Sequence, residues 1–243
     1  MKLLLKSFLA IGTILFFVAC EDVNTLCMND GKDTNETVDS NDTTDNNDTV
    51  TAPEDESRDG NSKVSYILHR DIKVSLFYVG KDNISSSAWD SDWIGSYGGI
   101  DEPDNRDGYN PASFTPNENP FYVALPYNDL DDDGGLRKSE SSSIIPWATS
   151  SDSIDSSICK NRWVKITVDR RYAYAQWEDV KPNSTDSDYV FGSKAPSDST
   201  NAGIFVSPAV RDYLNIDDNS SVEWQFVDYG SVASGPWKDI ETK

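Results

Sequence analysis

The pattern of hydrophobic and polar residues between positions 63 and 243 is mainly that of β-strands. Apolar and polar residues alternate over residues 72–78 and again over residues 164–168, as expected of strands with one buried face. Residues 121–125 form a short continuous apolar run, and residues 222–227 are typical of a further strand. The spacing of these segments predicts several short strands joined by long polar loops.

Two local features refine this prediction. Residues 169–171 read Asp-Arg-Arg and follow a strand-like segment, which predicts a hairpin into residues 172–177. Ser207 is a natural N-cap and Pro208 suits the first position of a helix, so a short helix is predicted near residues 208–214. Many short strands, one short helix and long loops predict an all-β fold that is a closed or nearly closed β-barrel.

The first 19 residues are typical of a signal peptide. Lys2 and Lys6 form a basic region, an apolar stretch follows, and Ala19 stands just before Cys20. The apolar stretch is short for a membrane span. The sequence therefore predicts that the chain is exported. Cys20 either has a specific role at the cleavage point or is incidental to an ordinary signal peptide.

The segment Phe17-Val18-Ala19-Cys20 resembles the lipobox of bacterial lipoproteins, with Phe17 in place of the more usual leucine. The resemblance implies cleavage before Cys20 and acylation of this residue. Several acyl chains hold a protein firmly to a bilayer, so a membrane is a predicted partner through the N-terminal lipid. An aspartate after the cysteine chiefly retains such proteins in the inner membrane. Since Glu21 stands there instead, the resemblance implies an outer-membrane location in the cell envelope.

Residues 20–62 are predicted to be a disordered acidic tether. They contain no aromatic residue, and their thirteen acidic residues are opposed only by Lys32 and Arg58. Such a segment buries too little apolar surface to offset its chain entropy. The whole chain has a formal net charge of −21, which argues against nucleic acid as a partner. The predicted organisation is a signal peptide (1–19), the tether and one folded domain (63–243).

The chain has three cysteines, which are too few for a disulfide framework. If Cys20 carries the lipid, Cys27 and Cys159 remain. These two residues could form a disulfide, or they could stay as two free thiols.

Three motifs carry a resemblance to a known fold family. They are YAQWEDVKP at residues 174–182, DYVFG at 188–192 and AGIFVSPAV at 202–210. In this order and spacing they resemble the double-psi β-barrel of rare lipoprotein A, the expansins and related lytic transglycosylases. The resemblance covers roughly residues 120–228. It implies that the folded domain is a six-stranded double-psi-type barrel with long loops and a short helix.

The resemblance also implies a ligand site. The strand that ends at Asp179 and the turn before Ser207 are expected to meet in space, with Asp179 as the polar centre. Trp177, Tyr122 and Asp212 are expected to lie nearby and to contact a cell-wall or surface polysaccharide such as peptidoglycan. The alternative is that Trp177 belongs to the core and Asp179 caps a turn.

The sequence departs from the family pattern at three positions. Phe205 stands where the family has an aspartate, Tyr122 where it has a histidine, and Lys181 where it has a glycine. Cleavage of a glycan needs an acid that protonates the glycosidic oxygen and a second polar group. Asp179 is the candidate catalytic acid, so a peptidoglycan lytic transglycosylase is one alternative. The missing polar groups favour a binding protein over this enzyme.

Residues 129–140 fit the twelve-residue calcium-loop pattern. The candidate metal ligands are Asp129, Asp131, Asp133 and Glu140. Oxygen ligands at this spacing suit Ca²⁺, which is the one cofactor that the sequence indicates. Helical patterns are absent on both sides of the loop, so the alternative is a solvated acidic hairpin tip. A calcium-dependent surface or adhesion protein is therefore a third functional hypothesis.

Overall fold

A computed structural model describes residues 64–131, 135–197 and 202–243. The predicted signal peptide, the lipidation site at Cys20, the second thiol at Cys27 and the predicted tether lie outside the described residues. Within the described ranges, no helix has both the length and the apolar character needed to cross a membrane.

The described residues form strands and short helices in the following order. The strands are β1 (His69–Leu76), β2 (Arg106–Asp107), β3 (Asn110–Pro111), β4 (Tyr122–Leu125), β5 (Arg162–Val168), β6 (Arg171–Val180), β7 (Ala202–Val206) and β8 (Ser221–Phe226). The α-helices are α1 (Trp93–Tyr97), α2 (Ser141–Ile144), α3 (Ser187–Val190) and α4 (Pro208–Leu214). Single 3₁₀ turns cover Lys81–Asn83, Tyr229–Ser231 and Pro236–Lys238.

Six of these strands close into one barrel. Their order around the barrel is β1-β7-β4-β6-β5-β8, and β2 and β3 form a separate two-stranded sheet. The pairs β1/β7 and β4/β6 are parallel, and the other four pairs of neighbours are antiparallel. The prediction of an all-β, six-stranded closed barrel with long loops and a short helix is confirmed, and α1, α2 and α3 are further short helices that the sequence did not predict. Closure leaves no unpaired edge of the sheet to be covered.

The predicted hairpin joins β5 to β6. Val168 pairs with Arg171, so the turn consists of Asp169 and Arg170 and the second strand begins one residue before the predicted start. Asp169 has a φ of 52°, and aspartate is one of the few residues other than glycine that adopts this left-handed conformation readily. The turn chemistry and the alternating pattern thus act together to fix the register of the hairpin.

The predicted helix is α4, and its ends are those expected from the sequence. Ser207 accepts a hydrogen bond from the Val210 backbone N–H at 3.3 Å, and Asn215 ends the helix with a φ of 49°. The Ser207 hydroxyl also donates to the backbone carbonyl of Pro120 at 2.7 Å. This buried serine therefore caps the helix and ties it to the segment that leads into β4.

Apolar side chains cover both faces of β4. Val123 and Leu125 belong to the main core inside the barrel, whereas Tyr122 and Ala124 belong to a second, smaller cluster. Because successive side chains of a strand point to opposite faces, this second cluster lies on the outer face of the barrel wall. Its other buried members come from the segment after β1, namely Phe77, Val79, Trp93 and Tyr97. This segment thus forms a cover over the outer face of β4.

Cys159 is a free thiol and is completely buried. Burial and the neighbouring Asp129 carboxylate raise its pKa well above the ordinary value. Cys27, the other thiol of the predicted pair, lies outside the described residues.

Candidate functional site

A β-bulge directs Asp179 to the outer face of the barrel. Val123 pairs with Trp177 and Ala124 pairs with Asp179, so Glu178 is an extra residue on β6. Trp177 points into the main core, and Asp179 lies two residues further along the same strand. With regular alternation Asp179 would also point inward. The extra residue is therefore what turns this carboxylate outward.

Asp179 and Phe205 lie on either side of Ala124. Ala124 pairs with Asp179 of β6 on one side and with Phe205 of β7 on the other. Both of these side chains line the same cavity. The expectation that the strand ending at Asp179 and the turn before Ser207 meet in space is confirmed.

The cavity, called here the Asp179 cavity, has a volume of about 160 Å³. The loop after β1 forms one wall, and the ends of β6 and β7 form the other. Its lining combines aromatic and charged side chains: Phe77, Tyr78, Gly80, Lys81, Asp82, Ile84, Ser86, Trp93, Asp179, Lys181 and Phe205. Apolar walls with a few convergent polar groups are typical of a small-ligand site.

Asp179 is almost completely buried at the cavity wall, with 3% of its surface exposed. Its Oδ1 accepts a hydrogen bond from the Ala88 backbone N–H at 2.8 Å, and its Oδ2 lies 3.4 Å from the Lys181 ammonium. Burial raises the pKa of the Asp179 carboxyl above its ordinary value, while the Lys181 charge and the Ala88 N–H partly offset this effect. The carboxylate is thus held in place by the backbone N–H groups of Ala88 and Val180 and by one cation.

Two lysines bring ammonium groups to the cavity. The Lys81 ammonium donates to the Leu76 backbone carbonyl at 2.8 Å. The Lys181 ammonium lies 5.9 Å from the centre of the Phe77 ring, within the range of a cation–π contact. The sequence identified Lys181 only as a departure from the family pattern and did not identify Lys81. The Gly80-Lys81 pair after a strand was the available signal, but lysines in loops are usually solvated.

Trp177 does not offer a surface to a ligand. Its side chain is completely buried, and its ring packs 5.5 Å from that of Trp89 and 5.8 Å from that of Phe226. The indole N–H donates to the Asp179 backbone carbonyl at 2.8 Å. The prediction that Trp177 contacts a glycan is wrong, and the alternative that it belongs to the core is correct.

Tyr122 is also buried and does not reach the cavity. Its hydroxyl donates to the Asp101 carboxylate at 2.8 Å and accepts a hydrogen bond from the Val79 backbone N–H at 3.0 Å. Burial raises the pKa of the Tyr122 hydroxyl well above its ordinary value. The predicted glycan contact is wrong, because this side chain is a structural element of the cover over β4.

Asp212 lies on α4, exposed to solvent, and it is not among the residues that line the Asp179 cavity. Its carboxylate accepts a hydrogen bond from the Arg211 side chain at 2.7 Å. Asp212 therefore lies outside the Asp179 cavity, and its contact with a glycan stays a prediction.

The candidate calcium loop contains a hairpin. Leu130 and Arg137 form an antiparallel bridge, as expected of the alternative interpretation as a hairpin tip. The Asp129 carboxylate is completely buried and accepts hydrogen bonds from the Ser157 hydroxyl and the Ile158 backbone N–H, both at 2.7 Å. This carboxylate therefore has a structural role in joining two loops.

The other candidate metal ligands are placed as follows. Glu140 is exposed and directly precedes α2, Asp131 lies at the described end of the hairpin, and Asp133 lies outside the described residues. Among the residues that the structure describes, no group of three or more His, Cys, Asp or Glu side chains could hold a metal ion. Calcium binding by the loop stays a prediction.

Glu178, the extra residue of the bulge, is a buried acid that the sequence analysis did not single out. Only 1% of its surface is exposed, and burial raises its pKa to about 8. The Lys160 ammonium lowers this pKa, whereas the Glu118 and Asp90 carboxylates raise it. With its amide oriented to donate, Asn161 reaches the two carboxylate oxygens at 3.0 and 3.1 Å. Burial thus favours the protonated, neutral form of this side chain.

Neither a scan against protein-family models nor a search of curated proteins finds a match for this chain.

Proposed function

We propose that the chain is a lipid-anchored envelope protein of the bacterial lipoprotein type, whose barrel binds a cell-wall or surface polysaccharide in the Asp179 cavity. The anchor is the lipid on Cys20, and the location is the outer membrane. The observation that carries the binding proposal is the meeting of Asp179 and Phe205 at one cavity on the barrel wall. The double-psi family assignment is part of the same proposal and is supported by this meeting of the two motifs.

The lining of the cavity suits a sugar. The half-buried rings of Tyr78 and Phe205 provide apolar surface for the C–H faces of a sugar ring. The Asp179 carboxylate and the Lys181 ammonium provide an acceptor and a donor for hydroxyl groups. A few polar groups that fix orientation within an apolar wall are the general arrangement of small-ligand sites.

The same geometry supports binding rather than cleavage. Glycan cleavage needs a proton donor and a second polar group acting on the sugar. Across Ala124 from Asp179 the wall presents Phe205, which has no proton to transfer. Tyr122 is committed to Asp101 and Val79 in the buried cover. Among the residues that line the cavity, Asp179 is therefore the one buried carboxylate, and it has no second polar group opposite it on β7.

The test uses the soluble chain of residues 21–243 in a pull-down with insoluble peptidoglycan and with purified surface polysaccharide. We expect wild-type protein to sediment with one of these polymers. We expect Asp179→Asn to bind about tenfold more weakly or worse, because a charged hydrogen-bond acceptor is lost. Asp212→Asn, which alters an exposed carboxylate outside the cavity, is the matched control and should bind as the wild type does.

The outcomes separate the alternatives. If the wild type sediments with neither polymer, or if the two variants bind equally well, the proposal is refuted. Release of soluble sugar fragments from peptidoglycan, lost in Asp179→Asn, would instead support the lytic transglycosylase. Circular dichroism of both variants shows whether the fold is retained.

A further inference from the structure

The Asp179 cavity contains two ammonium groups with unused hydrogen-bond donors. An ammonium group has three N–H donors. In the described part of the chain, Lys81 donates one to the Leu76 carbonyl, and the Lys181 ammonium lies 3.4 Å from Asp179. Both ammonium groups can therefore donate further hydrogen bonds to an acceptor group of a ligand.

The two carboxylates of the cavity differ in their surroundings. Asp179 already accepts a hydrogen bond from Ala88 and faces Lys181, whereas Asp82 is exposed. The two ammonium groups are the side chains of the cavity that can attract an anionic group of a ligand.

The charge of the cavity differs from that of the rest of the domain. Residues 63–243 contain 29 acidic and 17 basic residues, so a negatively charged polymer is repelled by most of this surface. The cavity has two lysines and two aspartates and is locally neutral. An anionic group therefore meets less repulsion here than over the domain as a whole, and it finds two cations.

Lys181 is well placed to act on such a group. Its side chain is 31% exposed, so the ammonium is partly removed from water, and the Phe77 ring lies below it. Partly buried ion pairs are screened less by salt than exposed ones. The Lys181 ammonium lies next to the buried Asp179 carboxylate, and the Lys181 side chain also lines the cavity.

We propose that the sugar bound in the Asp179 cavity carries a carboxylate, and that Lys181, with Lys81, is the residue that recognises it. This inference rests on the proposed function, since it names the class of polysaccharide. A carboxylate on a sugar has two common sources, a uronic acid and the lactyl ether of muramic acid, and both present the same anion to the two lysines.

The experiment measures binding to residues 21–243, which include every residue that the structure describes. The probes are trigalacturonate, peptide-free peptidoglycan glycan strands, and the neutral trimer of N-acetylglucosamine. We expect one acidic probe to bind roughly 10- to 100-fold more tightly than the neutral trimer. This preference should weaken as the salt concentration rises. The acidic probe that binds identifies the source of the carboxylate.

Three variants test the role of Lys181. Lys181→Gln should remove most of the preference for the acidic probe, and Lys181→Arg, which keeps the charge, should retain it. Lys194→Gln is the matched control, because the Lys194 side chain is 72% exposed and does not line the cavity. It should behave as the wild type does.

The failure of this inference is distinguishable from the failure of the proposed function. If acidic and neutral probes bind equally well and Lys181→Gln changes neither, recognition of a carboxylate is refuted while polysaccharide binding stands. If no probe and no polymer binds, both the proposed function and this inference are refuted.

Discussion

The buried acid at the β6 bulge makes the stability of the domain depend on pH. Glu178 is 1% exposed, and its folded-state pKa is about 8, against an ordinary value of 4.5. Replacing it by glutamine keeps the size and the neutral form of the side chain and removes its titration. The perturbation is therefore Glu178→Gln, and the measured quantity is the free energy of unfolding as a function of pH.

The sign follows from the direction of the shift. The folded state favours the protonated acid, so the stabilisation is complete below about pH 4.5 and is lost as the pH rises through about 8. At about 1.4 kcal/mol per pH unit, the difference between the two pKa values corresponds to a loss on the order of 5 kcal/mol. Domains of this size are typically stable by about 5–15 kcal/mol, so the effect is large enough to measure.

The assay is urea denaturation of wild type and Glu178→Gln between pH 5 and pH 9. We expect similar stability at pH 5 and a variant more stable by several kcal/mol at pH 9. Taking the difference between the two proteins cancels the titration of Glu118, whose pKa is also raised by burial. Glu102→Gln, at an exposed position, should show no such trend. A wild-type-to-variant difference that is the same at pH 5 and pH 9 would refute the reasoning.

Two further predictions concern the helix cap and the anchor. Ser207→Ala removes a cap on Val210 and leaves the buried Pro120 carbonyl without its donor, so we expect a loss of about 2 kcal/mol in urea denaturation at unchanged m-value. Ser139→Ala, at an exposed position, is the control, and an equal loss in both would contradict this role for the cap. In bacterial cells we expect labelled palmitate to enter the full chain and Cys20→Ser to abolish the labelling, with Cys27→Ser as control. A Cys20→Ser chain that is still labelled and sediments with membranes would contradict the predicted anchor.

The sequence predicted the barrel because its signals are local. The alternation over residues 164–168, the turn at Asp169 and the cap at Ser207 each act within a few residues. Each therefore predicts an element correctly without knowledge of the tertiary structure. The resemblance to the double-psi barrels then implied that the strand ending at Asp179 meets the turn before Ser207, and this meeting follows from the topology of the barrel.

The site residues were harder to predict because β4 and its neighbours are covered on both faces. A strand with one solvent-exposed face has alternating apolar and polar residues, and this alternation identifies the exposed positions. All four residues of β4 are buried, so its sequence has no such alternation. The sequence pattern therefore did not show that Tyr122 belongs to the cover on the outer face of the barrel. It also did not show that Trp177 belongs to the core inside the barrel. When a strand is buried on both faces, the spacing of its aromatic residues does not distinguish those that pack in the core from those that bind a ligand.

The bulge was also invisible in the sequence. Regular alternation places Asp179 on the same face as Trp177, and that face is the core. Only the pairing with β4 shows that Glu178 is extra and that Asp179 therefore turns outward. Bulges depend on how two strands meet, and the sequence of one strand does not contain that information.

Asp179 joins the cover of the barrel to the proposed ligand site, and this fixes how its role is to be tested. Its Oδ1 holds the loop at Ala88, while its Oδ2 faces Lys181 and the cavity. An asparagine keeps a carbonyl oxygen that can accept from the Ala88 N–H, but it has no charge for Lys181 or for a ligand. Asp179→Ala removes both functions. If Asp179 serves only to hold the loop, Asp179→Asn should retain binding and Asp179→Ala should lose stability. If it contacts the sugar, Asp179→Asn should lose binding while its stability stays close to that of the wild type.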